Sequence, residues 1–293
     1  MNDYYVGIDC GGTNIRIGLV DQNLNILFES KYKSDEVGRN LDKLIENFVN
    51  KYKNQYKIKL ISIGFPGLVD QNTLNVLNIP NQKSFEGTYL NELQEKLNIP
   101  IVIGNDVNVL MLYDAKLFGI NENKSILGFY LGTGFGSAIR INNMMYQGDF
   151  GAAGEIGHVP IYLRSILYNH KQKDLESVVS GFNLKNIHNE YFSDTPFEEI
   201  FIHHLESEPI QDYLHLLAIY ITTMITFLDI STIILGGGVI MSDQFPKSYL
   251  EKLIQDNLYA DNTKANFKVY YAQKSINSGV LGAVINGRNY LNI

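Results

Sequence analysis

Apolar and polar residues alternate at the start of the chain in a pattern that predicts two strands joined by a turn. The stretch is "VGIDCGGTNIRIGLVD", residues 6–21. After the polar turn, Ile15, Ile17 and Leu19 occupy every second position, which indicates a strand rather than a helix. The next apolar stretch, "NLNILFESKYKS", predicts a third strand.

The pattern then changes to alternating helices and strands. Leu41, Leu44, Ile45, Phe48 and Val49 recur at helical spacing. Further stretches predict a strand ending in a turn, a helix, a short strand, and a helix that begins at Val109: "KLISIGFPGLVD", "LNELQEKLNIP", "IVIGNDVN" and "VLMLYDAKLFG".

The second half opens as the first does, with a strand, a glycine turn and a strand in "SILGFYLGTGFGSAIRIN". An irregular segment (147–180), two helices, the strand "TIILGGGVI", a helix (248–257), the strand "FKVYYA" and a helix "SGVLGAVINGR" follow. This order predicts an α/β fold, and the repeated opening predicts two related lobes with a cleft between them. We expect residues 1–115 with 278–293 in one lobe and 116–277 in the other.

Composition and charge exclude several classes of protein. The 293 residues are 45% hydrophobic, as in ordinary globular proteins, and the net charge of −7 argues against a nucleic-acid surface. The single cysteine, Cys10, makes no disulfide within the chain, which suits the cytoplasm. The first ten residues have no leader pattern, and the apolar stretch 214–228 is shorter than the ~20 residues that span a membrane.

Three glycine-rich turns each follow an apolar strand: "DCGGTN" (9–14), "LGTGFG" (131–136) and "LGGGV" (235–239). Glycine lets a backbone approach a ligand closely, and successive N–H groups can bind an anion. The first turn alone favours an ordinary hairpin, because it lacks the lysine of a P-loop and opens no helix. Three such turns together favour phosphate binding.

With "FPG", "PN" (80–81), "NDVN" (105–108), "GEIGH" (154–158) and "LES" (175–177) added, the sequence resembles the ROK family. This is the repressor, open-reading-frame and kinase group of sugar kinases, within the two-lobed, actin-like ATPase (ribonuclease H-like) fold. The resemblance covers nearly the whole chain in the same order. It implies that ATP is bound by residues of the three glycine turns: Asp9, Gly11, Gly12, Thr13, Asn14, Thr133, Gly134, Gly236, Gly237 and Gly238.

The resemblance also assigns the chemistry. Asp106 matches the family's general base, which takes the proton of the attacking sugar hydroxyl. The alternative is that Asp106 only caps the helix that follows it. Asp9 would order Mg²⁺ through water, and its alternative is a residue that merely starts a turn.

The family's sugar contacts match short polar residues, which suit hydroxyl recognition: Gly67, Asn81, Asn105, Asp106, Glu155, His158 and Glu176. Gly67 and Asn81 could instead be turn residues, and Glu155 and His158 could belong to a surface loop.

The chain departs from the family in one place. Most members carry a CxCGxxGC cluster after the GHxx segment, and its three cysteines bind a structural zinc with the histidine. Residues 159–175 contain no cysteine, so we expect no zinc site. His170 fits a solvated loop better than a ligand, and apolar residues could order the loop instead: Ile161, Leu163, Ile166 and Leu167.

The expected function is therefore ATP-dependent phosphorylation of a hexose at its 6-hydroxyl. The segments around the sugar look most like those of allose kinases, which favours D-allose over glucose or N-acetylmannosamine. A sugar-responsive repressor is the alternative from another class, but with the phosphate turn directly after Asp9 we expect no DNA-binding domain. A non-catalytic sugar-binding protein is the third possibility. The resemblance implies a homodimer or dimer of dimers. The single cysteine favours the cytoplasm, and the charge and the apolar stretches predict no nucleic-acid or membrane partner.

Overall fold

The computed structural model describes residues 2–79, 83–142, 144–161 and 174–293. The chain forms two compact units. The first unit comprises Met1–Ile120, Gln147–Ala152 and Ser275–Ile293, and the second comprises Asn121–Tyr146 and Ala153–Lys274. The domain boundaries given above stay a prediction.

The first unit is built on a five-stranded mixed sheet with the strand order β3-β2-β1-β4-β7. Strand β2 pairs antiparallel with β1 and β3, whereas β1, β4 and β7 run parallel. A separate two-stranded hairpin, β5-β6, follows β4. The strands are β1 (Asp3–Cys10), β2 (Asn14–Asp21), β3 (Ile26–Lys33), β4 (Lys57–Phe65), β5 (Leu68–Asp70), β6 (Asn75–Asn78) and β7 (Ile101–Asn105).

Helices cover this sheet with apolar faces. In α2, the buried residues Leu41, Ile45, Phe48, Val49 and Tyr52 lie on one face, as the sequence spacing predicts. The helices are α1 (Ser34–Val37), α2 (Leu41–Tyr52), α3 (Asn91–Leu97), α4 (Asp106–Leu117) and, from the C-terminus, α10 (Ser278–Leu291).

Glycines let α10 lie unusually close to its neighbours. A Cβ on Gly282 would stand 2.2 Å from the Val109 carbonyl oxygen, and one on Gly7 of β1 would stand 2.2 Å from the Val280 carbonyl oxygen. Helix α10 therefore packs directly against β1 and α4, the two elements that carry Asp9 and Asp106.

The second unit is built on another five-stranded mixed sheet, with the order β10-β9-β8-β11-β12. Strand β9 runs antiparallel to β8 and β10, and β8, β11 and β12 are parallel. As in the first unit, an antiparallel strand pair joined by a glycine turn continues into parallel strands. The strands are β8 (Ile126–Leu131), β9 (Phe135–Ile141), β10 (Met144–Met145), β11 (Thr232–Gly236) and β12 (Lys268–Tyr271).

The longest helix of the second unit, α7, buries Leu214, Leu217, Ile221 and Ile225 on one face. Across the described ranges, no helix is both long and apolar enough to cross a membrane. The helices of this unit are α5 (Gly181–Tyr191), α6 (Ile200–His203), α7 (Glu208–Leu228), α8 (Lys247–Asn257) and α9 (Asp261–Ala265).

Three local features differ from the sequence predictions. Helix α4 begins at Asp106 rather than Val109, because the Asn105 side chain caps it from the end of β7. The short strands β6 and β10 have too few residues to show a period. Three α-helices, instead of two, lie between residue 180 and β11, since the single-turn α6 precedes α7.

Candidate active site

The first glycine turn, residues 11–13, joins β1 to β2 in the first unit. The Gly11 amide donates to the Asn14 carbonyl oxygen (3.0 Å) and closes the turn. The buried Ser34 makes two hydrogen bonds to this turn: its amide donates to the Thr13 carbonyl (3.0 Å) and its hydroxyl to the Gly11 carbonyl (2.7 Å). Gly12 and Thr13 are exposed, and their amides donate to no group in the described part of the chain. The turn thus presents two N–H groups that suit an anion.

Asp9 precedes this turn at the end of β1. Burial raises the pKa of its carboxyl group, and the nearby Arg16 guanidinium offsets part of that rise. Arg16 also pairs with Glu29 at 3.5 Å. On its other side, Asp9 lies against the first turn of α10, where a Cβ on Gly279 would stand 2.4 Å from the Asp9 Cγ. A carboxylate so weakly compensated fits a cation close to bound phosphates.

Asp106 lies at the first position of α4, directly after Asn105. The Asn105 Oδ1 accepts from the amides of Val107 (2.8 Å) and Asn108 (3.3 Å), so Asn105 is the cap. The hypothesis that Asp106 caps this helix is therefore wrong. Its Oδ1 accepts from the Val107 amide (2.8 Å), which holds the carboxylate at a helix N-terminus, where negative charge is favoured.

Gly67 is fixed to this corner by two contacts. Its carbonyl accepts from the Asn105 Nδ2 (3.2 Å), and a Cβ on it would stand 2.2 Å from the Asn78 carbonyl oxygen. The structure therefore brings Gly67, Asn105 and Asp106 together. Asn81 lies outside the described residues.

The second glycine turn, residues 132–134, joins β8 to β9 in the second unit. Its carbonyls also accept hydrogen bonds from the protein interior: the amides of Gly181 and Phe182 at the start of α5 donate to the carbonyl oxygens of Gly132 (2.8 Å) and Thr133 (3.1 Å). The amides of Thr133 and Gly134 have no acceptor within the residues that are described. Both turns thus direct their carbonyls into the protein and leave two amides for a ligand.

Glu155, His158 and Glu176 lie close together in the second unit. Glu155 precedes the 3-10 helix Ile156–His158, and the Glu176 amide donates to the Gly157 carbonyl (2.8 Å). Burial raises the pKa of Glu155; the charge of His158 lowers it, and that of Glu176 raises it further. These three side chains therefore lie near one another, with Glu155 and Glu176 partly buried and His158 exposed.

Asp174 belongs with this group, although the sequence analysis did not single it out. Its Oδ2 lies 3.3 Å from the His158 Nδ1, and its Oδ1 accepts from the Ser177 amide (3.0 Å). An aspartate directly before the "LES" motif was the available signal. Of the apolar residues expected to order this loop, Ile161 is buried, while Leu163, Ile166 and Leu167, like His170, lie outside the described residues.

The third glycine turn, residues 236–238, lies at the end of β11, and its three glycines have different surroundings. Gly236 packs against the Tyr130 ring, and Gly237 has a φ of +88° and approaches the Leu131 backbone closely. Gly238 is exposed, and a Cβ on it would meet nothing within 4 Å. Two of the three glycines thus have a packing reason, and Gly238 is the one with open space beside it.

Among the described residues, no group of three or more His, Cys, Asp and Glu side chains could hold a metal ion. The expectation of no zinc site stays a prediction. The candidate residues of the first unit are Asp9, Gly11, Gly12, Thr13, Asn14, Gly67, Asn105 and Asp106. Those of the second are Thr133, Gly134, Glu155, His158, Glu176, Gly236, Gly237 and Gly238.

Comparison with known proteins identifies the family, because residues 5–286 match the ROK family. The chain belongs to the ROK family. An N-acetyl-D-glucosamine kinase of Photobacterium profundum is 27% identical in an alignment of 280 residues, and the match covers 85% of this chain and 90% of that protein. A xylose repressor of Staphylococcus xylosus is 30% identical over 185 residues, 60% of this chain and 47% of the repressor.

Among solved structures, a ROK family glucokinase from Streptomyces griseus in complex with glucose and AMPPNP superposes with a TM-score of 0.73. It is 22% identical, and the match covers 97% of this chain and 99% of the glucokinase. The predicted two-lobed, actin-like α/β fold is confirmed. The expected likeness to allose kinases is corrected, because these relatives are named for N-acetylglucosamine, glucose and xylose.

Proposed function

We propose that this ROK protein transfers the γ-phosphoryl group of ATP to the 6-hydroxyl of a hexose. The observation that carries the proposal is the shared geometry of the first and second glycine turns. Each has its carbonyls bound from behind and two amides without a partner in the described chain. Amides arranged in this way are suited to phosphate oxygens, which the chain's net charge of −7 would otherwise repel.

Asp106 acts as the general base in this proposal. A sugar hydroxyl becomes a good nucleophile as it loses its proton, and a carboxylate within hydrogen-bond reach can accept that proton. The Asn105 cap and the Val107 amide fix the Asp106 carboxylate at the start of α4. Its position is therefore set before the sugar arrives.

Asp9 is the residue that would hold Mg²⁺, through water, beside the first glycine turn. Its carboxylate has a pKa raised by burial, so a neighbouring cation would stabilise the charged form. When bound with ATP, Mg²⁺ neutralises charge on the phosphates. Gly11, Gly12, Thr13 and Asn14 of the first turn, and Thr133 and Gly134 of the second, would then supply backbone amides to the nucleotide.

Hydroxyl recognition falls to Gly67, Asn81, Asn105, Asp106, Glu155, His158 and Glu176. The Asp174 carboxylate binds the His158 Nδ1, so it directs the Nε2 of the same ring away from itself. Carboxylates accept from hydroxyls, whereas the imidazole and the amides can donate or accept. Gly238 is the residue of the third turn that could contact adenosine, with Gly236 and Gly237 shaping the turn.

The sugar itself is the finer part of the proposal. The names of the relatives favour N-acetylglucosamine and glucose, and N-acetylmannosamine and D-allose are retained as candidates. An ATP-consumption assay that measures kcat/KM for these four sugars tests both levels. Turnover with at least one supports the kinase, and a tenfold preference, about 1.4 kcal/mol of transition-state free energy, identifies the substrate.

A sugar-responsive regulator is the second candidate, because the xylose repressor is among the relatives. Such a protein, or a non-catalytic sugar-binding protein, would consume no ATP in that assay, whereas a separate sugar titration would detect binding. The proposal also includes a cytoplasmic homodimer or dimer of dimers, which sedimentation equilibrium would measure.

A further inference from the structure

Glu176, one of the proposed sugar-binding residues, also contacts the second glycine turn. Its Oε2 accepts from the Phe135 amide at 2.7 Å, directly after the turn. We propose that Glu176 is a positioning residue for this turn, so that a single carboxylate connects the hexose-binding residues with the nucleotide-binding backbone. The inference rests on the proposed function for its ligands, whereas the contact itself lies within the second unit.

The turn is shaped to admit this carboxylate. A Cβ on Gly134 would stand 2.2 Å from the Glu176 Oε2 and 2.9 Å from its Cδ, so any side chain there would displace the carboxylate. Gly157 adds a second close approach, since a Cβ on it would lie 2.5 Å from the Phe135 carbonyl oxygen. A side chain at position 134 would therefore disturb the contact between Glu176 and the turn.

Glu176 can hold the turn because its own backbone is fixed. Its amide donates to the Gly157 carbonyl (2.8 Å), and the fully buried Leu175 before it donates to the Val159 carbonyl (3.0 Å). The carboxylate is thus placed by the segment that carries His158. A hydrogen bond from an amide to a charged acceptor is among the stronger ones in proteins.

The two oxygens of the carboxylate allow two tasks at once. Oε2 holds the Phe135 amide, while Oε1 accepts from no group within the described residues and can receive a sugar hydroxyl. A sugar bound to Oε1 would then act on the same group that orders Gly134. Glu155, in contrast, makes no hydrogen bond to the turn within the described part of the chain.

Hydrogen–deuterium exchange on the full chain without ligands tests the positioning role directly. We expect Glu176→Ala to speed exchange of the Phe135 amide by about tenfold, since it loses its acceptor. Glu176→Gln should retain most of the protection, because an amide oxygen still accepts. Amides of β11 should be unchanged and report an intact fold. Equal Phe135 exchange in wild type and Glu176→Ala would overturn the proposal.

Titration with Mg²⁺-AMPPNP in the absence of sugar tests the connection to the nucleotide. Glu176→Ala should raise the dissociation constant several-fold, Glu176→Gln much less, and a control at the exposed Glu198, Glu198→Gln, not at all. Unchanged affinity in Glu176→Ala would contradict the connection. If the wild-type chain itself binds no nucleotide, the proposed function fails, and the exchange result still decides whether Glu176 positions the turn.

A double-mutant cycle adds a check that does not depend on one variant. Gly134→Ala should weaken nucleotide binding and unprotect the Phe135 amide by pushing the carboxylate away. In Gly134→Ala/Glu176→Ala the clash is gone, so the combined effect should be smaller than the product of the single effects. Independent, multiplicative effects would contradict the proposed contact.

Discussion

The two glycine turns at the starts of the two sheets follow one plan but are held by different partners. The first, residues 11–13, is held by the hydroxyl and amide of Ser34, a neutral residue of the four-residue helix α1. The second, residues 132–134, is held by the first amides of α5 and by the Glu176 carboxylate just beyond it. The two turns therefore share a backbone shape, but within the described residues only the second has a proposed sugar-binding residue, Glu176, hydrogen-bonded beside it.

The proposed function also gives the two units different roles, and the prediction with the largest expected effect tests this difference. Asp106→Asn, in the first unit, should lower kcat by roughly 10²–10⁴-fold, because asparagine fits the space but cannot take the proton. Sugar affinity should change little. Steady-state kinetics and a sugar titration check this.

The matched variant is Glu155→Gln in the second unit. It should raise the KM for sugar more than it lowers kcat, because Glu155 is proposed to bind and not to accept the proton. Equal losses of kcat in Asp106→Asn and Glu155→Gln would contradict the proposal that only Asp106 accepts the proton.

The next effect compares the turns themselves. Gly134→Ala should lower the free energy of unfolding by about 1–3 kcal/mol, since its Cβ overlaps the Glu176 carboxylate. Gly12→Ala should change it by less than about 0.5 kcal/mol, because nothing lies within 4 Å of that Cβ. Urea denaturation measures both, and similar losses would mean that the two turns are packed alike.

A smaller effect on stability is expected at Ser34, the uncharged residue that is hydrogen-bonded to the first turn. Ser34→Ala should cost about 1 kcal/mol of stability, because the Gly11 carbonyl loses the hydroxyl that donates to it. Ser62→Ala is the control: Ser62 is equally buried, and its hydroxyl has no partner among the described residues. A loss in Ser62→Ala as large as that in Ser34→Ala would show that the bond to Gly11 contributes nothing.

The smallest effect is a pH dependence of stability at Asp9. Burial raises the pKa of Asp9 in the folded chain above its value in the unfolded chain. At a pH between these two pKa values, the folded chain therefore binds more protons than the unfolded chain. Its contribution to stability is therefore lost as the pH rises through the folded pKa. Without Mg²⁺ or nucleotide, Asp9→Asn should gain stability relative to wild type as the pH increases from 4 to 8. Urea midpoints that differ equally at every pH would contradict this.

The sequence predicts most of the fold, because apolar spacing reports which face of an element is buried. It gives β1, β2, α2 and the strand–turn–strand repeat, but it misses the start of α4, where the Asn105 cap decides the boundary. The partners that hold the site are harder to predict. Ser34 lies 23 residues from Gly11, and Asp174 lies 16 residues from His158, so no local pattern connects them. Glu176 was expected to bind sugar, whereas its bond to Phe135, 41 residues away, required the structure.

Product analysis is the most direct test of phosphoryl transfer to a sugar. The chain is incubated with ATP, Mg²⁺ and each candidate hexose, and the products are analysed by ³¹P and ¹H NMR. We predict one hexose 6-phosphate for each ADP formed, and at least about a hundredfold slower product formation with Asp106→Asn than with the wild-type chain. Sugar binding without ADP formation for every hexose, or phosphate on another hydroxyl, would contradict it.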